Sequence, residues 1–189
     1  MTFTYDAGDL FLRGPNPRFN ACVGKNGGPY DYHDYANGYF RSADLTMNSV
    51  KDGDHLLDIL IYPTFYQYRH AFELSLKGLV VDFQLLGEAV TFPKSHKLGA
   101  IWAVLEPMLR KYASHVDAPE PVVKALGALI SDMDALDHSA EVFRFPEDKK
   151  GTLFLQDRSL INYARLLPMS RAAEVFETWH YQVKDLRYE

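Results

Sequence analysis

The stretch from Leu56 to Leu86, LLDILIYPTFYQYRHAFELSLKGLVVDFQLL, constrains the fold more than any other part of the chain. Placed at about 100° per residue, Phe65, Tyr68, Phe72, Leu76, Leu79 and Phe83 fall into one apolar stripe with the period of an α-helix. A helix with such a stripe must bury it against other elements, so this segment predicts a core helix. Tyr66, His70, Glu73 and Lys77 form a second stripe roughly 60° wide, with Arg69 on the border between the two. Glu73 precedes Lys77 by one helical turn, the favourable order for an ion pair of about 0.2–0.5 kcal/mol. Pro63 removes one backbone donor and predicts a kink or a fresh helix start at that point.

The flanking sequence extends the helical reading. Tyr39, Phe40, Ala43, Leu45 and Met47 predict a first helix from about Ala36 to Val50, and Asp54 is placed to cap the helix after it. Leu98, Ile101, Trp102, Leu105 and Leu109 predict a third helix, capped by Ser95, with His96 in its first turn. Val122, Leu126, Ile130 and Met133 predict a fourth, begun at Pro119 or Pro121. A last helical pattern runs from about Ser159 through Trp179, interrupted at Pro168 by a bend or a fresh start. Between them, apolar and polar residues alternate on both sides of PEDKKG, which predicts a short β-hairpin or two extended arms near residues 141–156. Residues 1–35, rich in Gly, Pro, Asn and Tyr, read as an irregular N-terminal arm or a short hairpin. The expected architecture is therefore all-α: a single domain, 1–189, whose residues 36–189 form an antiparallel bundle of about five helices.

Composition narrows the function classes. The hydrophobic share of 47% belongs to an ordered globular chain, and a net charge of −5 with a pI near 5.8 supplies no global field for nucleic acid. The single cysteine, Cys22, excludes an intrachain disulfide framework and suits a reducing, cytoplasmic setting. No apolar run is long enough to cross a bilayer, so no membrane partner is expected. Asp31, His33 and Asp34 lack a further ligand group at a recognised spacing, and no metal site or cofactor is expected. Gly-rich phosphate loops, nucleophile elbows and paired-cysteine signatures do not occur.

Tyr62-Pro63, Tyr68-Arg69-His70, Glu73-Leu74 and Lys77 are followed by Ser95-His96-Lys97-Leu98 with Trp102. Asp137, Phe143-Arg144-Phe145-Pro146, Asp148 and Gly151 come after. In order and spacing this set resembles a bacterial branch of the HEPN superfamily, over roughly Gly38 to Leu167. The resemblance implies a helical bundle, a homodimer, and action on RNA in a toxin–antitoxin or phage-defence setting. The superfamily's ribonucleases carry an Arg, then four to six residues, then a His, on their last helix. Here that spacing occurs only in Arg110 to His115, at the end of the third helix, at a frequency that chance alone supplies.

The candidate site is accordingly His70, Arg69, Glu73, Lys77, Arg144 and His96. In a catalytic reading Arg69 and Arg144 hold a phosphate, and His70 or His96 is the general base toward a 2′-hydroxyl without a metal. In a structural reading Arg144 and Lys77 neutralise Glu73 and Asp137 and fix the 141–156 segment to the bundle. The first makes the protein an endoribonuclease. The second makes it a non-catalytic interaction module that binds an operon-encoded protein partner.

Overall fold

The computed structural model describes residues 12, 14–24, 30–50 and 55–188. Among them are five α-helices: α1 (Tyr32–Ser49), α2 (Leu57–Leu85), α3 (Leu98–Lys111), α4 (Glu120–Leu136) and α5 (Leu167–Asp185). The chain divides at residue 30 into two compact units. In the first, Asn16 caps a 3-10 turn over Pro17–Phe19, and the Asn20 side chain bonds both the N–H and the C=O of Gly14. Residues 1–11, 13 and 25–29 of the expected arm lie outside the described residues, as does the expected cap at Asp54.

In the second unit the helices form a bundle around α2. Partner residues show its directions. Along α1 and α2 the contacts run Asp44–Tyr68, Tyr39–His70 and His33–Asp82, so one numbering falls as the other rises and the two helices are antiparallel. Leu98–Asp134 and Arg110–Glu120 make α3 and α4 antiparallel in the same way. By contrast Phe72–Phe176 and Asp82–His180 place α5 in the direction of α2, and Glu73–His96 with Phe83–Tyr112 do so for α3. Two helical hairpins are thus joined by a crossover over 86–97, and a longer one, 137–166, leads to α5.

The apolar stripe of α2 is the centre of the core. Tyr68, Phe72, Leu76, Leu79 and Phe83 are all fully buried, as are Leu98, Ile101, Leu105 and Leu109 of α3. Phe40 of α1, Phe72 and Phe176 of α5 form an aromatic trio with centroids 5.1–6.4 Å apart, worth about 0.5–1.5 kcal/mol per pair beyond their area. Trp179 is closed off from solvent and donates its Nε1–H to the Asp117 carbonyl at 2.8 Å.

Local departures from the sequence reading have physical causes. The first helix begins at Tyr32, because Asp31 and Asp34 form a capping box there. Pro63 lies inside α2 without starting a new helix. Its ring and the Ile59 backbone it deprives of a partner lie at exposed positions, where water can serve the freed carbonyl. At Pro168 the fresh start does occur: an Asn162-capped 3-10 turn, Tyr163–Leu166, leads into α5 with the proline near its beginning. The 141–156 segment contains no strand, only one isolated bridge between Glu147 and Leu153. Asp148 Oδ1 accepts the N–H groups of Lys150 and Thr152, and Gly151 takes φ +80°, so side-chain bonding makes a tight turn in place of a strand ladder.

Candidate functional site

Arg69 is the hub of the candidate set, and it faces inward. It is 1% exposed; its Nε donates to the Asp137 carbonyl at 3.0 Å and its Nη2 to the His96 carbonyl at 2.8 Å. Nη1 approaches Glu73 Oε2 at 3.4 Å, and Nε lies 3.6 Å from Asp137 Oδ2. A guanidinium offers five N–H groups in a rigid fork, so one side chain can hold two chain segments and two carboxylates at once. Here it fastens the crossover before α3 and the end of α4 onto α2. Those bonds leave Arg69 turned away from any phosphate at the surface.

Asp137 completes that junction. Its Oδ1 accepts the N–H groups of Glu141 and Val142, closing a turn in which Ala140 is held at φ +61°. Hence Asp137 is neutralised by Arg69, and the expected role of Arg144 there is replaced. Asp134, one turn earlier on α4, accepts the N–H groups of Leu98 and Gly99 at 3.0 and 2.7 Å. It supplies the α3 N-terminus with the acceptors expected from Ser95, whose Oγ instead takes the Lys97 N–H. His96 consequently stands two residues before α3, outside its first turn.

On the outer side of Arg69, Glu73 Oε1 accepts from Lys77 Nζ at 2.7 Å and faces His96 Nδ1 at 2.9 Å. Side-chain exposure rises from 6% at Glu73 through 21% at Lys77 to 72% at His96. Burial pushes the Glu73 carboxyl up, but the hydrogen bonds from Lys77 and His96 and their charges outweigh it and hold the carboxyl below its ordinary value. Glu73 therefore orients His96 by its Nδ1. In the neutral ring with hydrogen on Nδ1, Nε2 is the basic atom, carried on a side chain open to solvent.

His70 and Arg144 occupy the next part of the stripe. The His70 ring meets Tyr39 edge-on at 4.5 Å and stacks on Tyr66 at 5.8 Å. Burial is the main cause that lowers its pKa, with Lys77, Arg69 and Arg144 adding to the effect and Glu73 opposing it. Arg144 is exposed and lies over the rings of Tyr66 and Phe145, at 5.6 and 5.1 Å from their centroids. From Tyr66 to Glu73 the helix rises roughly 10 Å. Arg144 and His96 thus meet α2 about two turns apart.

The structure joins Arg69, Glu73, Lys77 and His96 in one network and sets His70 with Arg144 in an aromatic cluster beside it. The Arg110–His115 spacing forms no pair: Arg110 binds Glu106 and Glu120, while His115 bonds Ser114. A cavity of about 750 Å³ bordered by Ile61, Tyr62, Leu155, Ile161 and Tyr163 includes none of the six candidate residues. Family models, curated proteins and solved structures give no match to this chain. Among the described residues no helix is long and apolar enough to cross a membrane.

Proposed function

We propose that this chain is an HEPN-like protein acting on RNA, with His96 as the general base of a cleavage by the neighbouring 2′-hydroxyl. The observation that carries the reading is the Glu73–His96 pair: a buried carboxylate bonded to Nδ1 of a solvent-facing imidazole. In this mechanism His96 Nε2 takes the 2′-hydroxyl proton, the oxygen attacks the adjacent phosphorus, and the 5′-oxygen leaves with a proton from water, giving a 2′,3′-cyclic phosphate. Glu73 stabilises the imidazolium formed in that step, and Lys77 holds the same carboxylate oxygen in place. Arg144, Tyr66 and His70 would then contact a flanking nucleotide through charge and stacking. His96 replaces His70 as base because Glu73 orients it and solvent reaches it.

The test is incubation of wild type, His96→Gln and His70→Ala with total RNA and tRNA in EDTA, with melts in the same buffer. Expected is cleavage by the wild type, reduced about 10²-fold or more in His96→Gln with an unchanged melting temperature. No cleavage by the wild type, or full activity in His96→Gln, overturns the reading.

A second reading, a non-catalytic interaction module, is favoured by the inward orientation of Arg69 and by the exposed Phe145, whose ring lies 5.1 Å from the Arg144 guanidinium. Arginine with aromatic rings is the chemistry enriched at protein interfaces. This reading expects an operon-encoded partner to co-purify with the wild type and to be lost in Arg144→Glu. A partner-free homodimer that cleaves RNA would sink it.

A further inference from the structure

At the end of α2 away from the Arg69 network, three helices each contribute one polar side chain to a single point. His33 comes from the first turn of α1, Asp82 from the last turn of α2, and His180 from the second half of α5. His33 Nε2 and His180 Nδ1 both lie 2.8 Å from the same oxygen, Asp82 Oδ2, and the two rings are 3.5 Å apart at 30°. The three side chains are only 10–11% exposed. Their potential ligand atoms all fall within 4.8 Å of one another.

The surroundings are shaped for this convergence. Gly78 lies one turn before Asp82, and a Cβ there would sit 2.6 Å from His33 Nε2. A glycine inside a long helix costs about 1 kcal/mol against alanine, and here it leaves the room that the imidazole occupies. Asp31 and Asp34, the acidic neighbours of His33, are engaged in the α1 capping box and face their own backbone. Tyr181 meets the His180 ring at 5.2 Å. The convergent donors are thus two imidazole nitrogens and one carboxylate oxygen.

We propose that His33, Asp82 and His180 bind one divalent transition metal of the Zn²⁺ class, clamping α1, α2 and α5 together. Two histidines and one carboxylate are a ligand set such ions accept, with a further position left for water. Hydrogen bonding alone directs two nitrogens at one oxygen and stacks two rings that could not both be protonated without repulsion at close range. A dication uses all three convergent atoms with both rings neutral. Metal–ligand bonds of about 2.0–2.2 Å set tetrahedral donor atoms roughly 3.3 Å apart, so each nitrogen must withdraw from Asp82 by about half an ångström. Mg²⁺ and Ca²⁺, which prefer oxygen cages, do not fit this set. The inference is independent of the RNA reading, and its test uses no RNA.

The test uses the full chain, free of any histidine tag, stripped with EDTA and dialysed. Titration with Co²⁺, read by visible absorption and then by Zn²⁺ displacement, is expected to show one site per chain. Saturating Zn²⁺ is expected to raise the melting temperature by about 5–10 °C, and Mg²⁺ to leave it unchanged. His33→Gln and His180→Gln are each expected to weaken Co²⁺ binding at least about 100-fold. X-ray absorption of the Zn²⁺-loaded wild type is expected to show two imidazoles and an oxygen donor, and it decides the matter even if the variants do not fold. Absence of binding, undiminished binding in the folded variants, or fewer than two imidazoles on the metal would each overturn the proposal.

Discussion

Replacing Arg69 by methionine removes a charge that the bundle encloses on every side. The methionine fills much of the arginine stem's volume, so the perturbation is electrostatic before it is steric. Two backbone carbonyls, of Asp137 and His96, lose their donors. Glu73 keeps Lys77 and His96, whereas Asp137, with a side chain fully closed to solvent, is left without a cation. Its Oδ2 already has no hydrogen bond, so the fall in compensation is complete at that atom. Breaking a buried pair from one side costs about 3–5 kcal/mol, which for a chain of this length lowers the melting temperature by about 6–20 °C. Against a total stability of about 5–15 kcal/mol this is a large share. Asp137→Asn provides the control, because its amide oxygen can still accept from Glu141 and Val142. In a double-mutant cycle followed by urea unfolding, the pair should show a coupling of about 1–3 kcal/mol. If Arg69→Met stays within 1 kcal/mol of the wild type, the inward network does not hold the bundle and the reasoning fails.

Other perturbations probe different parts of the molecule. Gly78→Ala sets a helix gain of about 1 kcal/mol against a contact that a pinned His33 ring cannot relieve, at about 1–3 kcal/mol. A net loss is expected in urea titrations, and stabilisation by about 1 kcal/mol would mean that His33 is free to move. The acid limb of stability should carry Glu73. Its folded carboxyl is held down, so the unfolded chain takes up the proton first, and stability is full above about 4.5 and lost as pH falls through the folded value. Glu73→Gln should flatten that limb, and an unaltered slope would contradict the assignment. His70 acts in a higher window with the same sign. Burial lowers its folded pKa below 6.5, so stability drops as pH falls beneath about 6.5, and His70→Gln should remove that dependence in melts across pH 5–7.

Part of the candidate site was legible because it is local. His70, Glu73 and Lys77 share a helix face by spacing alone, and the Glu73–Lys77 pair forms as the periodicity requires. The choice of partner for each charge was not legible. Arg69, on the border of the apolar stripe, could have turned outward to a ligand, and its inward course depends on carbonyls at His96 and Asp137, far along the chain. Asp134 holds the α3 N-terminus because α3 and α4 form an antiparallel hairpin, a pairing that no spacing in the sequence signals.

The helical period by itself determined the elements of this protein, since a stripe repeating every 3.6 residues must be buried whatever it packs against. The core positions of α2, α3 and α4 and the all-α class follow from that rule. Only the tertiary structure decided which helices run together, and with that which distant polar groups meet. His33 in an acidic first turn and His180 after a tryptophan carry no mutual spacing signal. They meet on Asp82, 49 and 98 residues away, because α1 runs against α2 while α5 runs with it.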